Sequence, residues 1–377
     1  MNRKRVFFYV QHLLGIGHLK RAVTLARAMA AAGLDVTLAS GGLPVPELSA
    51  DGGVRFVQLP PASAADLTFK VLVDGKGKPV DDEWKRARAG ALLAAWRAAD
   101  PHVLVLELFP FGRRQMRFEL LPLLNQAIAA RPRPLVVCSV RDLIQAKPER
   151  ENEILECFEF FYDRLLVHGD PRLARFERSF GPAARIAGKL HYTGYVVQDA
   201  PAASGDAGAD EVLVSAGGGA VGQRLLETAI AARALSRLRE RTWRVLAGLN
   251  AENFDALQAR AGSGVIVERF RNDFTLRLRN CVLSVSQAGY NTVLETLQAR
   301  ARAVVVPFAG VAESEQTLRA NLLAERGLLE VVEEAALTPA TLAAAIDRAA
   351  ARPRPVPGAI DLDGARRSAE LLHEWLA

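Results

Sequence analysis

Short, dense apolar runs alternate along this chain with longer stretches in which apolar residues recur every three or four positions. The runs "VFFYV" (6–10), "DVTLAS" (35–40), "VRFVQL" (54–59), "HVLVLEL" (102–108), "PLVVCSV" (134–140) and "RLLVHG" (164–169) predict buried strands. Between them, "HLKRAVTLARAMAAAG" and "RRQMRFELLPLLNQAIAA" carry helical spacing, and the first stops at Gly33, a residue suited to ending a helix. The segment 197–210, containing "QDAPAASGDAGAD", is small and turn-forming and predicts a linker. A second set follows. "EVLVSAGGG", "WRVLAGLN", "VIVERF", "CVLSVSQAG" and "AVVVPF" predict strands, whereas "GQRLLETAIAARALSRLRE", "TVLETLQARA" and "SEQTLRANLLAERG" predict helices. "DLDGARRSAELLHEWLA" predicts an amphipathic terminal helix.

Strands alternating with helices place the chain in the α/β class, with a doubly wound parallel sheet in each half. The expected organisation is a first domain over 1–196, a linker over 197–210, a second domain over 211–360 and a terminal helix over 361–377. Each half opens with a strand and a glycine loop. Ligands in such sheets sit at the carboxyl ends of the strands, so a cleft between the halves is the expected site.

Composition narrows the function. The 377 residues suit two domains, and 50% apolar with 24% charged residues is a globular balance. Cys138, Cys157 and Cys281 are too scattered for a disulfide framework or a metal motif, which suits a reducing cytosol. No apolar run is long enough to span a membrane, and the chain starts directly with a strand, so the expected location is cytoplasmic. The net charge of +6 favours an anionic partner such as a nucleotide or a phospholipid surface. No nucleic-acid-binding motif occurs.

Three glycine loops carry the candidate chemistry. In "HLLGIGHLKR", Gly15 and Gly17 permit a tight turn and close approach of a ligand. His18 follows at the helix start, where free N–H groups and the positive dipole end favour an anion or a neutral imidazole, and Arg21 lies one turn on along the same face. His18 either caps this helix or does chemistry. A third glycine at dinucleotide spacing is missing, which disfavours a nicotinamide enzyme. In "LVSAGGGAVGQRLL", Gly217, Gly218, Gly219 and Gly222 can cradle a diphosphate, but no Lys-Ser/Thr pair follows to support ATP hydrolysis. In "SVSQAGYNTVLETL", Gly289 lies in the loop and Asn291 and Thr292 start a helix. Glu295 sits one turn in, either on a solvated face or accepting the two hydroxyls of a ribose.

"SVSQAGYNTVLE", followed by "VVVPF" and "EQTLRANLLAERG", closely resembles the C-terminal half of GT-B glycosyltransferases, in particular the family 28 group that includes the peptidoglycan UDP-N-acetylglucosamine transferases. "LGIGHLKR" and "FPFGRR" resemble a bacterial group of predicted glycosyltransferases. The resemblance covers nearly the whole chain and implies a GT-B fold, two Rossmann-like domains facing across a cleft. It also implies an inverting, metal-independent transfer of a sugar from a nucleotide-sugar, with UDP favoured, to a hydroxyl acceptor, with no cofactor. By the same resemblance Gly217, Gly218 and Gly219 meet the donor diphosphate, Phe270 the base, Ala288 and Gly289 the phosphates, and Glu295 the ribose. Gln316 matches one residue of a Gln-Gln pair that reads the donor sugar; Glu315 departs from the other, which leaves the sugar open. The terminal helix is implied to pack back on the first domain.

In the resembling enzymes the first glycine loop lines the acceptor side, so His18 becomes the candidate base that takes the acceptor's proton. Gly15, Gly17, Arg21, Phe111, Arg113, Arg114 and Arg141 are the other acceptor-side candidates. The "FPFGRRQMRF" mixture of apolar and basic groups is what a lipid-linked acceptor or a peripheral membrane contact requires. It reads equally as a loop with a core-packing helix and solvated arginines. Arg141 either touches the acceptor or pairs with Asp142; His102 and His373 read as structural. Two other functions remain. A hydrolase of the pseudaminic-acid-pathway type would use the same histidine on water, and a nucleotide-sugar sensor would bind without turnover.

Overall fold

The computed structural model describes residues 3–48, 52–66, 69, 71–145, 147–198, 204–216, 222–248, 251, 253–308 and 314–377, with the backbone alone at Ser314. The chain divides into two compact units, Met1–Val196 with Asp363–Ala377, and Val197–Leu362.

The first unit is built on a seven-stranded parallel sheet. Its strands are β1 (Arg5–Val10), β2 (Asp35–Ser40), β3 (Val54–Gln58), β6 (Val103–Glu107), β7 (Leu135–Arg141), β8 (Arg164–His168) and β9 (Leu190–Tyr192), in the order β3-β2-β1-β6-β7-β8-β9. Strands β4 (Ala62–Ala64) and β5 (Leu72–Asp74) form a separate antiparallel pair. The central strands are buried on both faces, which is why they read as unbroken apolar runs rather than alternating ones. In β1, Phe8 lies level with Leu38 of β2 and Val105 of β6. Phe7 and Tyr9 face one layer, formed by helices α2 (Asp82–Ala99), α3 (Arg117–Ala129) and α4 (Glu151–Phe161). Val6, Phe8 and Val10 face the other, formed by α1 (Gly17–Ala31) and, from the end of the chain, α11 (Gly364–Leu376).

Helix α11 belongs to the first unit. Ala369, Leu371 and Leu372 enter the core beside Leu19, Val23 and Ala26 of α1. The His373 ring lies 2.8 Å from the Ala32 carbonyl oxygen, and Val196 bridges Asp363 across the point where the chain returns.

The second unit carries a six-stranded parallel sheet in the order β12-β11-β10-β13-β14-β15. Its strands are β10 (Glu211–Ser215), β11 (Thr242–Leu246), β12 (Val265–Glu268), β13 (Leu283–Gln287), β14 (Ala303–Val306) and β15 (Glu330–Val331). Its helices are α5 (Gln223–Ala232), α6 (Phe254–Arg260), α7 (Phe274–Asn280), α8 (Tyr290–Gln298), α9 (Ser314–Glu325) and α10 (Pro339–Ala351). Thr338 and Thr341 form a reciprocal cap at the start of α10, with Pro339 as its first residue.

The helix expected over "GQRLLETAIAARALSRLRE" is shorter than its pattern. After Ala232 it tightens through Arg233–Leu235 and stops, because the Ser236 hydroxyl and the Arg237 N–H both donate to Asp347, at 2.7 and 2.9 Å. Strands β4, β5, β9 and β15, two or three residues each, have no counterpart in the sequence pattern.

Candidate active site

In both sheets the chain winds outward from a central strand, returns past it, and winds outward again. The reversals fall between β1 and β6 in the first unit and between β10 and β13 in the second. Loops leave the carboxyl ends of these neighbours in opposite directions, opening a crevice, and that is where doubly wound sheets bind ligands. The candidate residues gather at these two points.

In the first unit, the chain leaves β1 at Val10 and enters α1 at Gly17, making His18 the second helical residue. Its Nδ1 lies 2.9 and 3.0 Å from the two carboxylate oxygens of Glu107, the last residue of β6. Glu107 is fully buried, and Arg21 donates to the same carboxylate from one turn behind His18. An ionised carboxylate can only accept, so Nδ1 carries the imidazole proton and the Nε2 lone pair is available. Nε2 has no protein hydrogen-bond partner among the described residues.

The electrostatics agree. Burial lowers the His18 pKa to about 4 against the opposing pull of Glu107. Burial alone would raise Glu107, but the charges of His18, Arg21 and Arg113 and the imidazole hydrogen bond hold it below the usual carboxylate range. At neutral pH the pair is a neutral imidazole on a carboxylate. Glu107 was not among the residues singled out in the sequence. The signal was a lone acid at the end of an otherwise apolar strand.

A second buried network holds the loop after β1. Arg88 of α2 donates from Nε to Glu119 at 2.9 Å, from Nη2 to Gln11 Oε1 at 2.7 Å, and from Nη1 to the Gly41 carbonyl at 3.0 Å. The Tyr9 hydroxyl donates to Glu119, and Gln11 Nε2 donates to the carbonyls of His12 and Ala62 at 2.8 and 2.9 Å. Glycine is required after β2 for this reason. A Cβ on Gly41 would come within 2.2 Å of Gln11 Oε1 and Arg88 Nη2, and one on Gly42 would strike the His12 ring.

The other acceptor-side candidates separate. Gly15 is exposed, and a Cβ there would meet nothing within 4 Å; neither it nor Gly17 has the positive φ that a glycine-only turn needs. Their smallness leaves room beside His18 rather than permitting the turn. Arg113 adopts a left-handed φ of 59° and donates from Nε to the Gln11 carbonyl at 2.7 Å. Arg141 ends β7, close enough for its charge to act on Arg113, whereas Arg114 is exposed. Phe111 is a correction. Its ring packs 5.1–5.7 Å from Phe158, Phe176 and Phe180 and is 3% exposed, so it anchors the loop in the core and offers nothing to an acceptor.

In the second unit, Gly217, Gly218 and Gly219 lie outside the described residues. The loop's end is described: Gly222 caps α5 with a φ of 134°, and a Cβ there would lie 2.6 Å from that of Ala216 and 3.4 Å from the Gln287 side chain. Across the reversal, Ala288 is buried and Gly289 precedes α8, in which Asn291, Thr292 and Glu295 are half-buried. Two helix N-termini, those of α5 and α8, therefore start at the carboxyl ends of adjacent strands, the arrangement suited to an anion. Phe270 is exposed two residues beyond β12, on the same edge. Glu315 and Gln316 open α9; Glu315 is buried, and Gln316 Oε1 accepts from the Phe308 N–H at 3.4 Å. Beside them the sequence concealed Arg319, whose buried guanidinium lies 5.2 Å from the Tyr290 ring centre.

Comparison with known proteins fits this layout. Residues 213–357 match the model of the glycosyltransferase family 28 C-terminal domain. Among solved structures, the glycotransferase of kitacinnamycin is 16% identical, with a TM-score of 0.67 and 100% of both chains covered. MurG of Acinetobacter baumannii is 14% identical, with a TM-score of 0.60 and 98% and 99% covered. Glycosyltransferase VinC, in complex with dTDP, is 15% identical, with a TM-score of 0.61 and 98% and 94% covered. The fold is that of GT-B glycosyltransferases, and the similarity of residues 213–357 to the family 28 C-terminal domain, together with that fold, indicates a glycosyltransferase.

Proposed function

We propose that the chain moves a sugar from a nucleoside diphosphate sugar, a UDP-sugar, to an acceptor hydroxyl with inversion, and that His18 is the general base. The second unit takes the donor. Gly289 and the N-termini of α5 and α8 meet the diphosphate, Glu295 accepts from the ribose hydroxyls, and Glu315 and Gln316 read the sugar. The dTDP bound to VinC supports a pyrimidine nucleoside diphosphate as the donor's handle.

The observation that carries the reading is the pairing of His18 with Glu107. Nδ1 is held by the carboxylate, which leaves Nε2 to accept the acceptor's proton as its oxygen attacks the anomeric carbon. Glu107 then faces an imidazolium and stabilises the charge that forms, while Arg21 keeps the carboxylate ionised and aligned. One displacement inverts the anomeric centre. The departing diphosphate takes up negative charge, and we assign its stabilisation to the helix N-termini instead of a metal ion. Among the described residues no three His, Cys, Asp or Glu side chains gather as metal ligands.

The test is product release from a panel of UDP-, dTDP- and GDP-sugars, with and without cell extract. The expected result is intact nucleoside diphosphate, released only once extract supplies an acceptor and undiminished by a chelator. His18→Ala should abolish turnover and spare nucleotide binding, whereas Glu295→Ala should weaken binding. Rapid sugar release in water alone, or equal loss of binding in both variants, overturns the proposal.

A further inference from the structure

We propose that His168 and Thr193 are positioning residues for the base: they turn the Ser139 hydroxyl away from Glu107 and so reserve that carboxylate for His18 and Arg21. The effect on turnover rests on the function proposed above; the direction of the hydroxyl rests on the hydrogen bonds themselves.

Val105, Val137 and Leu166, on three neighbouring strands, pack into the core under α1. Two residues further along the same strands come Glu107, Ser139 and His168, which the alternation of a strand places on that same face. All three are fully buried. Ser139 is level with Glu107 in the register of β6 and β7, and adjacent strands lie about 4.8 Å apart, so hydroxyl and carboxylate are neighbours. A hydroxyl so placed would ordinarily donate to the charge beside it. Here it turns the other way. Ser139 Oγ lies 2.8 Å from His168 Nε2, toward β8, while Glu107 accepts from His18 and Arg21.

The direction of each proton follows from Thr193. Its hydroxyl lies 2.8 Å from the Gly194 carbonyl oxygen, which can only accept, so Thr193 donates there. The Thr193 oxygen is then the acceptor for His168 Nδ1, 2.9 Å away, which puts the imidazole proton on Nδ1. His168 is neutral at ordinary pH, because burial lowers its pKa to about 3. Nε2 therefore presents a lone pair, and Ser139 is the donor in the bond between them.

A third donor on Glu107 would weaken the base. Each hydrogen bond to a carboxylate stabilises its charge and lessens its pull on the other partners. Glu107 is already held by Arg21 and must still stabilise the imidazolium that forms when His18 takes a proton. A bond from Ser139 would draw on the same charge. The control is exerted from a distance. Thr193 follows β9, three strands from β6, and makes no hydrogen bond to His18 or Glu107 among the described residues.

The experiment combines histidine nitrogen NMR at neutral pH with transfer kinetics, both on the full chain. The wild type should show His168 protonated on Nδ1. Thr193→Val removes the acceptor for that proton, which should move to Nε2. The Ser139 hydroxyl then turns to Glu107, and the His18 Nδ1 proton should shift upfield. His168→Leu should give the same upfield shift. Both variants should lower kcat at least about fivefold and leave the donor KM within about twofold. Ser139→Ala, which deletes the diverted hydroxyl, should restore the His18 signal and kcat in either background. His168→Gln, whose carbonyl can accept from Ser139, should keep kcat within about threefold of wild type. A wild-type His168 proton on Nε2, a His18 signal unmoved in Thr193→Val and His168→Leu, or a loss of kcat that Ser139→Ala does not relieve overturns the positioning role. The expected shifts without sugar transfer to any acceptor refute the transferase reading and leave the positioning role standing.

Discussion

Replacing Glu107 by glutamine keeps the shape of the side chain and removes its charge, so it isolates what the carboxylate does for His18. In the transition state the imidazole becomes a cation whose centre lies about 4 Å from the carboxylate, and at an effective dielectric near 20 that attraction is worth about 4 kcal/mol. Losing it should lower kcat by about 10³. Glutamine brings a second penalty, because its amide can donate to Nδ1 and favour the tautomer with the proton on Nε2, where it blocks the base. The donor's binding constant, which the proposed function assigns to the second unit, should not change. The acid limb of the kcat/KM profile should move to lower pH, since Glu107 is what raises the His18 pKa against burial. Folding needs its own check, because Arg21 loses its carboxylate, and stranding a buried charge costs about 3–5 kcal/mol. A double-mutant cycle settles the role. If Glu107 works through His18, then Glu107→Gln should add almost nothing to His18→Ala. A kcat within about threefold of wild type, or strictly additive losses in the double variant, would refute the pairing as a catalytic device.

Acid sensitivity offers an independent reading of the core. His168 is fully buried between Ser139 and Thr193, and burial lowers its pKa from 6.5 to about 3. The unfolded chain takes up a proton below pH 6.5 that the native state refuses, so stability held above that pH is lost as pH falls toward 3, by about 1.4 kcal/mol per pH unit. In urea unfolding at stepped pH, His168→Gln should be shallower than the wild type by this slope, His18 adding its own acid sensitivity to both. Arg88→Met strands the buried Glu119 and should cost about 3–5 kcal/mol in urea unfolding, while Arg88→Met combined with Glu119→Leu should recover most of the loss. Gly222→Ala puts a Cβ 2.6 Å from that of Ala216 at a φ of 134°, so the thermal midpoint should drop and calorimetry should show weaker UDP binding.

Many of the strands were legible because a strand buried on both faces is apolar along most of its length, as β1, β6, β7, β10 and β14 are, with polar residues mainly at their ends. Strands β9 and β15 were hidden by brevity; two or three residues show no period, and their existence depends on a neighbour to pair with. The site divides the same way. His18 was legible because a glycine loop opening a helix is a local pattern. Its partner was not, because Glu107 lies 89 positions away and the two meet only through the adjacency of β1 and β6. Arg88 and Glu119 were concealed for a related reason: on a helix, a charge facing inward to a buried partner has the same local spacing as one facing water. Phe111 misled because basic residues follow it, Arg113 half-buried and Arg114 exposed, while the same loop drives its ring into the core.

The return of α11 to the first unit has a consequence for how that unit closes. The second unit is, in topology, an insertion between β9 and α11, and its sheet takes no strand from outside it. The first unit needs segments from both sides of the insertion. Leu19, Val23 and Ala26 on α1 stay uncovered until Leu371 and Leu372 pack against them, so any conformer with α11 detached exposes apolar surface. Gly364 guards that closure. A Cβ there would fall 2.4 Å from the Gly194 carbonyl oxygen, so even an alanine would hold the closing helix away from its seat.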